Sequence, residues 1–147
     1  MAFADSIRTK AATMEGVASL LEAVLSPSNT FISTYYIPTV SVTAPFTFTG
    51  VSIPLSQYFR IGDLVMFMCS FSGTAGGTLS SIITVTLPVT TNGALLTASV
   101  TIVDGSAYKS GTIINNGATE IQIRKYDASN YTAGLVSCTV YGFYEAA

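Results

Sequence analysis

The sequence predicts an all-β fold, an antiparallel, jelly-roll-like β-sandwich preceded by one short N-terminal α-helix. The helix is predicted by residues 5–25, DSIRTKAATMEGVASLLEAVL, whose apolar side chains recur at helical spacing. The sandwich is predicted by the chain beyond Pro27: short apolar runs divided by turn residues, with no further helical pattern. Three turn signals, Asn92-Gly93, Asp104-Gly105 and Asn116-Gly117, arrive at even intervals. Such pairs favour the positive φ of tight hairpins, and strands so spaced build antiparallel sandwiches or jelly rolls.

In the helix, Ile7, Ala11, Met14, Val17, Ala18, Leu21, Val24 and Leu25 form one apolar stripe, Asp5 or Ser6 caps the start, and Ser26-Pro27-Ser28-Asn29 ends it. The stripe passes through Ile7, Met14 and Leu21 at heptad spacing, but Lys10 and Val17 make a poor seam. A short bundle or a docking helix is expected. Thr39 to Thr43 and Phe46 to Ile53 read as strands broken at Ala44-Pro45. Leu64 to Ser72 is a strand after the turn-like Gly62-Asp63. Gly73 to Thr78 reads as a flexible hairpin tip. Leu79 to Leu87 puts Ile83, Val85 and Leu87 on one face. Leu95 to Val103, Ala107 to Asn115, Thr119 to Tyr126 and Leu135 to Tyr144 complete the set. The expected division is a helix and linker over 1–38, used for anchoring or assembly, and a β-domain over 39–147.

Leu64 to Phe71 poses a problem that bears on function. Val65, Phe67, Cys69 and Phe71 form one alternating set and suit a core. Leu64, Met66, Met68 and Ser70 form the other, and three of these four are large and apolar. A solvated face should be polar, so something is expected to cover it. Charged residues are only 10% of the 147, against roughly 25% in ordinary soluble domains. A chain this poor in charge hides apolar surface, and self-association is the expected place. No run approaches the ~18 apolar residues of a membrane span. The net charge of −2, with scattered Lys and Arg, gives no footprint for nucleic acid. The opening MAFADSIRTKAATMEG does not read as a secretory signal.

Catalysis is not expected. The chain has no histidine, which removes Ser-His-Asp and Cys-His machinery and every His-containing zinc site. The glycine-rich GTAGGTLS lacks the lysine and helix of a phosphate loop. A glycosidase needs two carboxyl groups about 5 Å or about 6.5 to 9.5 Å apart, and of the acids available Asp63 and Asp104 are read as turn residues. Cys69 and Cys138 read as small buried hydrophobes, with a disulfide the alternative if their strands are neighbours. No cofactor or metal is expected. The loop YDASNYT, with Tyr126, Asp127, Asn130 and Tyr131, is the candidate ligand or receptor loop, because a tyrosine ring offers a flat apolar face with a polar tip.

The order of signals from Pro54 to Tyr144 resembles a β-domain of bacteriophage virion proteins, found in head fibres, decoration proteins and tail-fibre tips. It is carried by Tyr58-Phe59-Arg60-Ile61-Gly62-Asp63-Leu64-Val65, the Gly-Thr-rich stretch Gly73 to Thr78, ITVTLPV ending at Val89, and the terminal VSCTVYGFYEA. The resemblance implies a jelly-roll-like sandwich assembled as a homotrimer. Leu64, Met66 and Met68, with Ile7, Met14 and Leu21, would then face neighbouring subunits. It further implies a structural virion protein, a capsid decoration, cement or head-fibre protein docking on the major capsid protein. The alternative is the receptor-binding tip of a short tail fibre, recognising a host surface glycan or protein through Gly73 to Thr78 and Tyr126 to Tyr131. Tail fibres carry a long shaft before such a tip. A short helix and linker stand in its place here, which favours the decoration reading.

Overall fold

The computed structural model describes residues 32–147, which form nine strands in one antiparallel sheet: β1 (Ile32–Tyr35), β2 (Val40–Ser41), β3 (Phe46–Ile61), β4 (Leu64–Gly77), β5 (Ile83–Thr86), β6 (Thr91–Asp104), β7 (Ala107–Asn115), β8 (Glu120–Lys125) and β9 (Gly134–Ala146). Their order across the sheet is β1-β3-β4-β9-β6-β7-β8-β5-β2. The described residues are all-β, as expected. The expected N-terminal helix, with Ile7, Met14 and Leu21, lies outside them. The expected linker through Pro38 is partly a strand, since β1 pairs with β3 from Ile32↔Arg60 to Tyr35↔Gln57.

The sheet curls. Its two edge strands, β1 and β2, are neighbours in sequence, joined only by residues 36–39. An extended chain over that span reaches at most about 18 Å, so the edges are drawn back toward each other and one face closes on itself. The corner lies in β7. Its first half, Ala107 to Ser110, pairs with β6, while Gly111 to Asn115 pairs with β8. A Cβ on Gly111 would stand 2.5 Å from Val100 Cγ1 and 2.7 Å from Ile102 Cδ1. Only glycine lets the backbone pass this close to the core as it bends.

The enclosed face is the hydrophobic core, and alternation supplies it. Val65, Phe67, Cys69, Phe71 and Ala75 of β4 are buried, as are Val136, Cys138, Val140, Tyr144 and Ala146 of β9. From the opposite side come Ile83, Val85 and Leu87, with Ile121 and Ile123 of β8. Each buried Val, Leu, Ile or Phe among them contributes about 1.5 to 3 kcal/mol by leaving water. Phe67 and Tyr144 meet edge to face at 5.8 Å. The Tyr144 hydroxyl donates to the Val89 carbonyl at 2.7 Å and accepts from the Val89 N–H at 3.1 Å, tying β9 to the 87–90 segment.

Several expected boundaries move, for identifiable reasons. Gly73 to Thr78 is not a hairpin tip. Residues up to Gly77 continue β4, paired with β3 and β9, and Gly73 leaves room for the Phe48 ring, which a Cβ would meet at 2.6 Å. Phe46 to Ile53 is only the first half of β3, which bends through two irregularities and runs on to Ile61. Asn92-Gly93 lies inside β6 at an irregular register and turns no hairpin. Thr39 to Thr43 shrinks to Val40–Ser41, and Leu79 to Leu87 to Ile83–Thr86. Ala107–Asn115 agrees in full. Gly111→Ala should lower stability by about 1 to 3 kcal/mol through overpacking. Thr112→Ala, at an exposed neighbouring position, should change it by less than about 0.5 kcal/mol. Urea unfolding of the two variants measures the difference.

Candidate functional site

The outer face of the central strands carries the first candidate. The register aligns Phe59, Met66, Phe143 and Thr97 in one row across β3, β4, β9 and β6. Gln57, Met68, Tyr141 and Ser99 form the next. Between them lies a groove of about 410 Å³, with the intervening residues Phe67, Ala98 and Gly142 in its lining, and no charged residue lines it. Met66 is 51% exposed, Leu64 and Ile61 are exposed beside it, and Met68 is half-buried. The alternation read from Leu64 to Phe71 is therefore present: one set is core and the other is an open apolar surface. Farther along the same face the apolar side chains give way to hydroxyls, with Ser70 and Thr139 hydrogen-bonded at 3.1 Å.

The second candidate is the loop after β8. Of its four expected residues, Tyr126, Asp127 and Asn130 are exposed and Tyr131 is not. Tyr131 is 1% exposed, its ring stacked on Phe46 at 6.3 Å and its hydroxyl donating to the Ile123 carbonyl at 3.3 Å. It is a core residue, and its role in a receptor loop is withdrawn. The cause is the bond from its own N–H to the Ser80 carbonyl, which pulls the loop inward at that point.

Beneath the loop lies a polar cluster that sequence reading missed. Asp104 was expected in a turn, but the two-residue loop of the β6–β7 hairpin is Gly105-Ser106, with Asp104↔Ala107 its last pair. Gly105 supplies the positive φ, 65°. That one-residue shift turns the Asp104 side chain inward. Its Oδ2 meets Lys125 Nζ at 2.8 Å, with both side chains buried. Thr132 adds its N–H to Oδ1 at 2.8 Å and its hydroxyl to Oδ2 at 3.1 Å. Lys125 also donates to the Asn130 carbonyl and lies 5.6 Å from the Tyr131 ring centre. Burial alone would push the Asp104 carboxyl up, but the bonds from Lys125 and Thr132 hold it below the ordinary range. The arrangement fixes a loop.

The two thiols are free and buried. Cys69 stands opposite Val140 and Cys138 opposite Phe71, so they are offset by two residues on one face. Burial pushes Cys69 up to about 11 and Cys138 up to about 12. Among the described residues no three His, Cys, Asp or Glu side chains converge as a metal site. No helix among them is long and apolar enough to cross a membrane. Comparison with known proteins gives no match to the chain among family models, curated proteins or solved structures.

Asp104→Asn should cost about 3 to 5 kcal/mol at neutral pH, because it strands the buried ammonium. The carboxyl's contribution is present above its unfolded value near 3.9 and is lost as pH falls through the lower folded value. The gap in urea midpoint between the wild type and the variant should therefore be smaller at pH 3 than at pH 7. Both cysteines should resist a colorimetric thiol reagent in the native protein, and two should react in denaturant.

Proposed function

We propose that this protein is a structural virion component that associates with copies of itself through the outer face of β3, β4, β9 and β6. The observation that carries this reading is the uncharged apolar groove around Met66, Met68, Tyr141 and Phe143. An apolar surface of this kind marks an association site rather than a solvated face. The low charge content supports the same conclusion, since interface cores are depleted in charge.

The virion assignment rests on the resemblance of Pro54 to Tyr144 to phage β-domains. On that reading the curled sheet is a jelly-roll-like sandwich: β1-β3-β4-β9-β6 form one layer, β8-β5-β2 the other, and β7 crosses between. The assembly is a homotrimer that decorates or cements a lattice of major capsid protein and performs no chemistry. The receptor-binding tip is the second reading, favoured by the exposed Tyr126. Counting copies per purified particle against the coat protein, by quantitative mass spectrometry, separates the two. A number comparable with the coat indicates decoration, and a number set by one tail or vertex indicates a tip.

Met66→Lys tests the association directly. It places a charge in the groove while leaving the inward set of β4 intact. Sedimentation equilibrium should find the wild type at three times the chain mass and the variant at the mass of one chain. The variant's far-ultraviolet circular dichroism should be unchanged. A monomeric wild type, or a variant that stays trimeric, would overturn the proposal.

A further inference from the structure

One surface of the sheet is built differently from the groove and shares no lining residue with it. The ladder between β7 and β8 continues one step past Lys125, where the Tyr126 N–H bonds the Ser110 carbonyl at 3.0 Å. Tyr126 is therefore opposite Ser110, and Tyr108, two residues away on the same strand, is its diagonal neighbour on the same face. Diagonal positions lie roughly 7 to 8 Å apart, within reach of aromatic side chains. These two tyrosines are 81% and 82% exposed. Beside Tyr126 is a shallow hollow of about 210 Å³ lined by Lys109, Ser110, Lys125, Tyr126 and Asp127.

The base of this surface is held rigid. The Asp104–Lys125 pair lies beneath it, and the Ala128 N–H bonds the Lys125 carbonyl at 2.9 Å. Ala128 itself has φ of 54°, a left-handed conformation that costs a residue with a Cβ of order 1 kcal/mol or more. Asp127 fixes the turn through one oxygen alone: Oδ1 accepts from the Ser129 N–H at 3.0 Å and the Ser129 hydroxyl at 2.6 Å. The turn leaves Tyr126 and Asp127 exposed to solvent.

We infer that Tyr108, Lys109, Ser110, Tyr126 and Asp127 form a binding site for a neutral saccharide. The tyrosine rings offer flat apolar faces for the C–H face of a pyranose, with hydroxyls at their tips. Asp127 accepts from sugar hydroxyls, and Lys109 and Ser110 donate to them. The charges cancel: Lys109 against Asp127, and Lys125 against Asp104. That balance selects a neutral ligand over a phosphate or a sialylated chain. This site is separate from the association surface proposed above, since neither tyrosine lines the groove.

Saturation-transfer NMR on the full chain tests it, with a panel of neutral glucose, galactose and N-acetylhexosamine oligosaccharides and their sialylated counterparts as probes. Saturation should pass to ring protons of at least one neutral oligosaccharide, with no gain on sialylation. Tyr126→Ala should weaken that binding at least tenfold, and Tyr108→Ala should weaken it measurably. Tyr35→Ala, which removes an equally exposed tyrosine on β1, should leave it unchanged, and so should Met66→Lys. Absence of transfer from every neutral probe at millimolar concentration would overturn the inference. So would a folded Tyr126→Ala variant that binds like the wild type, or a preference for the sialylated chains.

Discussion

Four residues join the two edges of a nine-stranded sheet, and most of this structure depends on that constraint. Tyr36 to Thr39 cannot reach from β1 to β2 unless the sheet curls. Curling gives the sheet two unlike faces. The enclosed one must be dry, which sorts Val65, Phe67, Phe71, Val140 and Ile123 inward without exception. The bend needs one place where backbone replaces side chain, and Gly111 is that place. Once the inner face is closed, the outer face and the loops are the surfaces that the described residues present to a partner.

How much of this is legible in the sequence depends on whether the signal is periodic or positional. Alternation is periodic, so the inward and outward sets of Leu64 to Phe71 can be assigned, and Ile83, Val85 and Leu87 with them. Turn signals are positional, and each can be satisfied in more than one way. Asn92-Gly93 has the composition of a hairpin but falls inside a strand, in the irregular stretch between the pairs Thr91↔Ala146 and Leu95↔Tyr144, where the chain runs on beside β9 instead of turning back. The glycines of Gly73 to Gly77 look like a flexible tip because composition cannot reveal that the Phe48 ring occupies the space Gly73 leaves, or that the Thr47 side chain and the Pro45 carbonyl crowd Gly76 and Gly77.

The Asp104 cluster shows the same limit more sharply. An Asp-Gly pair is a turn signal, and the turn is there, displaced by one residue. In a strand that displacement decides which face a side chain joins. It converts Asp104 from a surface turn residue into the partner of a buried lysine. Lys125 and Tyr131 are hidden from sequence for a related reason. Lysine and a loop tyrosine are ordinarily exposed, and they are buried here because each satisfies the other's surroundings: the ammonium binds Asp104 and Asn130, and the ring packs on Phe46. Tyr126 to Ser129, which stay exposed as the loop reading expects, lie beyond these contacts.

The open edges explain why association should use a face. The first half of β3 has β4 on one side and, among the described residues, no strand on the other, and such an edge invites another strand. Here it is spoiled. Two register shifts interrupt it between Thr49 and Leu55, Gly50 takes a φ of 63°, and Pro54 removes a donor. The opposite edge, β2, is only two residues long. Both routes to strand addition are thus blunted, while the apolar side chains of β4 and β9 stand unprotected by charge. On the proposed self-association, a chain whose edges are blunted and whose β4–β9 face is bare meets its own copies through that face, and Tyr108 and Tyr126, which do not line the groove, are the place for the proposed ligand.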